Sequence, residues 1–480
     1  MLTRRDLLAA LGGAAALAGC TPSMREARNL TASGPVKRAS ANATPLIRKL
    51  NRLGFGATPD LLARVETMGW DAYVDEQLAA NQPDPAELNF LISRLDIEHF
   101  SAPDLRNVPD HHVQAQLRQA KLLRAIYSPN QLRERMVEFW TDHFNIDAKK
   151  SYASYALADD QRGVVRPHAL GSFPAMLTAS AHSPAMLAYL DNKVNHAGVV
   201  NENYGREILE LHTLGVHGGY TQKDVLEVSR CFTGWTVEER FMGGMSLREM
   251  RPPNKMGAFL FREDLHMKGA RTVLGKKIPD GGKEQGDLVI AMLAEHSSTA
   301  NTLATKLCRY FLGNLAEPFI APTAKRYLDS KGDIKAMIEP ILRSEEFGQD
   351  AELPKRPFDF IVSSLRALDA TTTGRGSVQP ALERLGHASF NWAMPDGYPT
   401  KTSAWTASML ARFNWALALA YGPLEDVEIS PERLGERLSL SPEDAVAYCV
   451  LGPGRELPTP AKSAREAVAL AIASPEFQWR

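Results

Sequence analysis

A chain of 480 residues can bury a large core, and length alone leaves room for two or three domains. Its 55 Lys+Arg against 56 Asp+Glu give no basic surplus, so nucleic acid and acidic surfaces are set aside as partners. An apolar share of 44% with 23% charged residues is that of an ordinary globular protein.

The first twenty residues read as an address. Thr3-Arg4-Arg5-Asp6-Leu7-Leu8 resembles a twin-arginine export box, with Arg4 and Arg5 as the export signal. The apolar run from Leu7 to Ala18 is too short to span a bilayer. It ends in Leu17-Ala18-Gly19-Cys20, which resembles a bacterial lipobox, with cleavage before Cys20 and acylation of its thiol. The alternative is a plain signal peptide in which Cys20 is incidental. Thr21, where an Asp would retain the protein at the inner membrane, points to an outer-membrane lipoprotein on the periplasmic face. Residues 21–44 are largely Ser, Ala, Thr, Asn and Pro, as expected of a flexible tether. Twin-arginine substrates typically cross folded, many with a cofactor in place, which directs attention to a divalent transition metal. Cys231, Cys308 and Cys449 are far apart and form no CxxC, so buried thiols are expected, with one disulfide left open.

From residue 45 the pattern is helical. Thr58-Pro59-Asp60 opens a helix through Met68, followed by Trp70 to Ala80. The stretch from Asn81 to Asp110 reads as connections around one short helix. His111 to Tyr127 and Asn130 to Phe144 are helices, and Tyr152 to Leu190 is a helical run broken by Pro167, Pro174 and Pro184. Asn201 to Gly215 reads as a helix with Asn201 as N-cap and Gly215 just past its end. Thr221 to Asp224 resembles a capping box opening the next helix.

Strand character is confined to about 235–278, where Trp235–Val237, Ala258–Phe261 and Thr272–Leu274 alternate with Gly- and Pro-rich turns. Helices resume at Asp287, Thr299, Asp333 and Pro357. An aromatic loop from Gly386 to Ala404 precedes a helix from Trp405 to Tyr421. Phe390, Trp392, Tyr398 and Trp405 of this region could stack on a ligand, but are read as core. The predicted fold is mainly α: a large multi-helix body over 45–480 with a small β insertion.

No HExxH, GxSxG or GxxxxGK[ST] occurs. The chemistry-bearing residues lie elsewhere. The 201–215 helix is apolar on several sides at Ile208, Leu209, Leu211 and Leu214, yet carries Glu202, Arg206, Glu207, Glu210 and His212. Buried charges need partners, so compensation is expected. Glu202, Arg206 and Glu210 follow at i, i+4 and i+8 and form one ridge, while Glu207 and His212 project elsewhere. His143 with Asp142 ends an apolar helix, and His266 lies in a turn of the β insertion. Taken together, His143, His212 and His266 with a carboxylate would suit a mononuclear metal site. Taken singly, each is a cap or a satisfied core histidine, and the ridge is a helix-locking ion network.

Several of these stretches resemble the bacterial family called domain of unknown function 1800 (DUF1800). They are Arg52–Thr58 (RLGFGAT), Phe139–Phe144 (FWTDHF), Asn201–Gly215 (NENYGREILELHTLG), Gly219–Val225, Phe232–Trp235, His266 ahead of Val273-Leu274-Gly275, Lys355-Arg356-Pro357, and the closing Ser474–Phe477. Met267 departs from the Asp, and Gly205 from the Ala, common in the family. The resemblance implies one exported family domain with a co-encoded exported partner protein, and it names no reaction. Two functions follow. One is an envelope hydrolase or oxidoreductase, metal-assisted, with Glu207, Glu210, Arg206 and Glu202 around the reacting group. The other is a non-enzymatic envelope scaffold or binding lipoprotein, touching the membrane through its anchor only.

Overall fold

The computed structural model describes residues 36, 38–40, 44–150, 153–238, 258–405 and 408–480. Arg4, Arg5 and Cys20, most of the tether and the middle of the β insertion lie outside the described residues.

Local signals place many helix starts. Thr58 accepts from Leu61 N ahead of Pro59–Met68, and Thr221 with Asp224 completes a capping box. Seven helices build the sites described below: α1 (Thr44–Leu53), α2 (Gln131–His143), α3 (Asn203–Glu207), α4 (Gln222–Cys231), α5 (Ser297–Leu312), α6 (Pro357–Ala367) and α7 (Pro442–Val450). Residues 81–110 hold three short helices, Ala86–Ile92, Asp96–His99 and Ala102–Leu105, where one was expected. Glu317–Asp329, Pro431–Leu438 and α7 were not anticipated.

The β insertion is two separate antiparallel pairs. β1 (Trp235–Val237) pairs with β2 (Phe259–Phe261) in the register Trp235 to Phe261. β3 (Arg271–Val273) and β4 (Lys276–Ile278) form a hairpin with Arg271 opposite Ile278. Trp235 is fully buried and tucks the insertion into the helical body, its ring 5.0 Å from Phe232 and 5.2 Å from Phe259. The molecule is therefore mainly α with a small β insertion.

The element at the centre is α2. It is buried on nearly every side: Leu132, Met136 and Trp140 enter the apolar core, and Trp140 packs 5.7 Å from Phe173. Three of its charged side chains are buried as well, and each is paired. Glu134 accepts two bonds from Arg166 at 2.6 and 2.9 Å, Glu138 takes Arg356 at 2.6 Å, and Arg135 pairs with Asp359. Pairing is what lets an interior helix carry three buried ionised groups. Cys231, Cys308 and Cys449 are buried free thiols. No described helix is long and apolar enough to cross a membrane.

Candidate functional site

The 201–215 segment ends as its sequence predicts, but its N-cap is Glu202, one residue later than the expected Asn201. Asn201 Oδ1 accepts from Asn203 N at 2.9 Å, and Gly215 takes a φ of 82°. Between those ends α3 widens into a π-helical turn, Ile208–Thr213, where an α-helix was expected. Thr213 Oγ1 donates to Ile208 O at 2.5 Å, five residues back. Such wide turns are rare and are frequent at functional sites.

The turn breaks the predicted ridge. Glu202 and Arg206 pair at 3.1 Å, and Gln222 of α4 bridges both, at 2.5 Å to Glu202 and 2.9 Å to Arg206. Glu210 instead accepts from Tyr220 OH at 3.1 Å. All four charged residues, Glu202, Arg206, Glu207 and Glu210, are only half-buried, while Ile208, Leu209 and His212 face inward. The expectation of ionised groups held in the interior is therefore corrected: the backbone is interior on one side, and the charges lie along its wet edge. Burial first, and then Glu210, push the Glu207 carboxyl up.

Two of the three histidines meet. His143 closes α2 and His212 sits in the π-turn, with ring centres 6.1 Å apart. His143 Nε2 lies 3.1 Å from the His212 carbonyl, which can only accept, so Nε2 carries the proton. Its Nδ1 is then the acceptor for Lys306 Nζ at 3.1 Å, and Lys306 also donates to Leu211 O at 3.0 Å. These carbonyls belong to the last turn of a helix and have no intrahelical partner, so α2 and α5 supply one each. Burial holds the His143 imidazole well below its ordinary range, and lowers His212 to about 3; Lys306 adds to both.

His266 is elsewhere. It lies in the β insertion against Phe261, with Nδ1 2.8 Å from Thr233 O. Among the described residues no group of three His, Cys, Asp or Glu side chains is placed to hold a metal ion. The single centre built on His143, His212 and His266 is corrected accordingly. The sequence places each histidine on its element but cannot say which elements touch.

What does converge is a cleft of about 400 Å³ beside His143. Lys306, Arg309 and Tyr310 of α5 form one wall, and Phe139, Asp142 and His143 of α2 the floor. Arg356 and the segment Asp396–Lys401 complete it. Four cationic side chains against two carboxylates give it a positive balance. The loop is pinned from below. Asn145 Nδ2 donates to Trp392 O and Met394 O at 2.9 and 2.8 Å, and Gly397, at φ 76°, lies so close to α2 that a Cβ would stand 2.2 Å from Asp142 O. Tyr398 and Trp405 are buried around His387, their rings 4.3 and 5.4 Å from it, and Phe390 is buried too, as the core reading expects, whereas Trp392 is half-buried.

Lys306 is the chemically distinctive group. Burial lowers its amine to about 8, with Asp396 opposing. A neutral amine has two N–H donors and one lone pair. His143 Nδ1 and Leu211 O take the two hydrogens, which leaves the lone pair for the third direction. Sequence reasoning found Asp142 and His143 of this cleft and missed Lys306, Arg309, Arg356 and Asp396. Lys306 adjoins the apolar face of α5 (Leu303, Leu307) and looks there like any helix lysine. Its depressed amine follows from packing against α2 and the π-turn.

A family model described as a protein of unknown function (DUF1800) matches residues 48–479. No curated protein and no solved structure matches the chain.

Proposed function

We propose, for a chain that belongs to the DUF1800 family, that the cleft takes a small anionic ligand and that Lys306 is the proton acceptor acting on it. The observation that carries this reading is the contact of Lys306 Nζ with both His143 Nδ1 and Leu211 O in the cleft wall. A base near its working pH is the efficient one, and an amine at about 8 meets that condition where an ordinary lysine does not. Arg309 and Lys401 at the mouth would draw in the anion. The metal-assisted route is the weaker one, since both ring nitrogens of His143 already have partners.

Competitive labelling with an amine-reactive reagent tests this directly. Lys306 should react along a curve centred at about 8, apart from the ordinary exposed lysines at about 10.4. Lys306 following the common lysine curve would sink the reading. Export and anchoring belong to the same proposal: the protein would be carried by the twin-arginine route and held at the periplasmic face through acylated Cys20. A Cys20→Ser variant should then move from the membrane fraction to the soluble periplasm, with Arg4→Lys/Arg5→Lys blocking export altogether. Unchanged membrane association of Cys20→Ser would remove the anchor. The scaffold reading predicts the same shifted lysine but no protection of Lys306 from labelling by a small anion.

A further inference from the structure

A second cleft, of about 300 Å³, lies away from Lys306, where α1, the Asp350–Arg356 segment, the end of α7 and the closing residues 475–480 come together. Its lining includes Arg48, Arg52, Lys355, Arg455 and Arg480, against Asp350 and Glu476.

The local structure explains why so many cations are held there. Arg52 donates to three backbone carbonyls, among them Phe347 O at 2.9 Å, and to Arg480 O of the last residue at 3.1 Å, with no side-chain carboxylate in its bonds. Lys355 is 2% exposed. Its Nζ stands 3.4 Å from the Phe477 ring centre, and no hydrogen bond or ion pair reaches it among the described residues. Arg412 behind it donates to Lys355 O at 2.6 Å and to Gln478, again without a carboxylate. Arg480 reaches Asp359 only at 3.7 Å, and its Nε and Nη1 lack hydrogen-bond partners among the described residues.

Among the described residues Asp359 is the buried carboxylate side chain near this group, and it is already committed to Arg135. Three buried guanidiniums (Arg52, Arg412 and Arg480) therefore share a fraction of Asp359 and the carboxyl group of the last residue, and the Lys355 amine has no carboxylate of its own. Buried charge without a counter-charge is costly. An oxyanion entering the cleft would remove that cost and give Lys355 the partner it lacks. The rim is apolar on one side, with Ile47, Val450, Leu451 and the 43%-exposed Trp479.

We infer that this second cleft is a binding site for a phosphate-type oxyanion carrying an apolar or aromatic extension, with Lys355 as its innermost contact. Burial and Arg412 hold the Lys355 amine well below its ordinary range when the cleft is empty. Binding therefore draws a proton onto the protein.

The test is calorimetry on the mature chain with inorganic phosphate and with phenyl phosphate, repeated in buffers of different ionisation enthalpy. Phenyl phosphate should bind more tightly than phosphate, weaken with salt, and take up a proton near neutral pH. Lys355→Met should weaken it by about tenfold or more. Because Lys355 is buried and its variant could fail to fold, the exposed rim change Arg455→Ala is the companion, with an expected loss of about threefold. Lys306→Met serves as the control that leaves this site intact, and so separates failure here from failure of the Lys306 reading. Vesicles carrying phosphatidic acid, compared with soluble phenyl phosphate, tell a lipid headgroup from a free phosphomonoester. No heat with either soluble anion at about 10 mM, or identical affinities in wild type, Lys355→Met and Arg455→Ala, overturns the site.

Discussion

His143, His212 and Lys306 show how one contact sets the state of three groups. Lys306 disfavours a proton on either ring, and burial does the same more strongly. His212 is fully buried with Nε2 unpartnered among the described residues, so it stays neutral at physiological pH. Its folded pKa of about 3 lies below the ordinary 6.5. Between those values the unfolded chain binds the extra proton, so this contribution to stability is complete above 6.5 and lost as pH falls toward 3. His212→Leu should therefore flatten the acid limb of the stability profile, by up to about 1.4 kcal/mol per pH unit. Urea unfolding at a series of pH values checks it. An acid limb as steep as the wild type's would mean that His212 is already charged in the fold.

At the scale of elements, the close approach of α3 to α4 fixes where the π-turn sits. Gly205 makes this approach: a Cβ there would stand 2.0 Å from Ser229 Oγ and 3.0 Å from Ser229 N. Ser229 cannot swing away freely, because its hydroxyl donates to Val225 O at 2.8 Å. Gly205→Ala should cost about 1–3 kcal/mol through overpacking, against the usual gain of alanine over glycine within a helix. Adding Ser229→Ala should recover most of the loss, since it removes the nearest atom. Thermal unfolding of the two single variants and the double variant measures the coupling. An uncoupled pair would show that the helices can slide apart without penalty.

Across the whole molecule, stretches hundreds of residues apart meet on α2. Arg135 joins Asp359 and the Gly54 carbonyl, and Arg356 joins Glu138 and Asp142. Arg480 reaches Tyr310 O at 3.2 Å, and Arg52 holds the backbone of the chain's last residue. These are the RLGFG, FWTDHF and KRP stretches, and their shared location gives them a structural reason that no one of them reveals alone. Glu138→Ala leaves Arg356 with Asp142 alone and should cost about 3–5 kcal/mol, whereas breaking the exposed Lys325–Asp329 pair should cost about 0–1. Denaturant midpoints at equal m-value compare the two. Similar small losses would mean that the network is replaceable packing.

Much of this molecule was legible in its residues because helix starts, turn glycines and short β-prone runs are local chemistry. Thr58, Thr221, Gly215 and the pairing segments at Trp235 and Phe259 act through neighbours a few positions away. The charge density of 201–215 and the pairing of Asp142 with His143 at a helix end were visible on the same terms. Which side of a helix is wet, and which histidine meets which, are decided by segments far apart in the chain. Residues 202, 206 and 210 lost their common ridge to a π-turn that no spacing rule announces, and His266 went to the insertion. Lys306 and Lys355 became unusual only because distant helices removed their water. Local backbone and side-chain chemistry thus determined the elements, and the desolvation created by packing them decided where the reactive charges are.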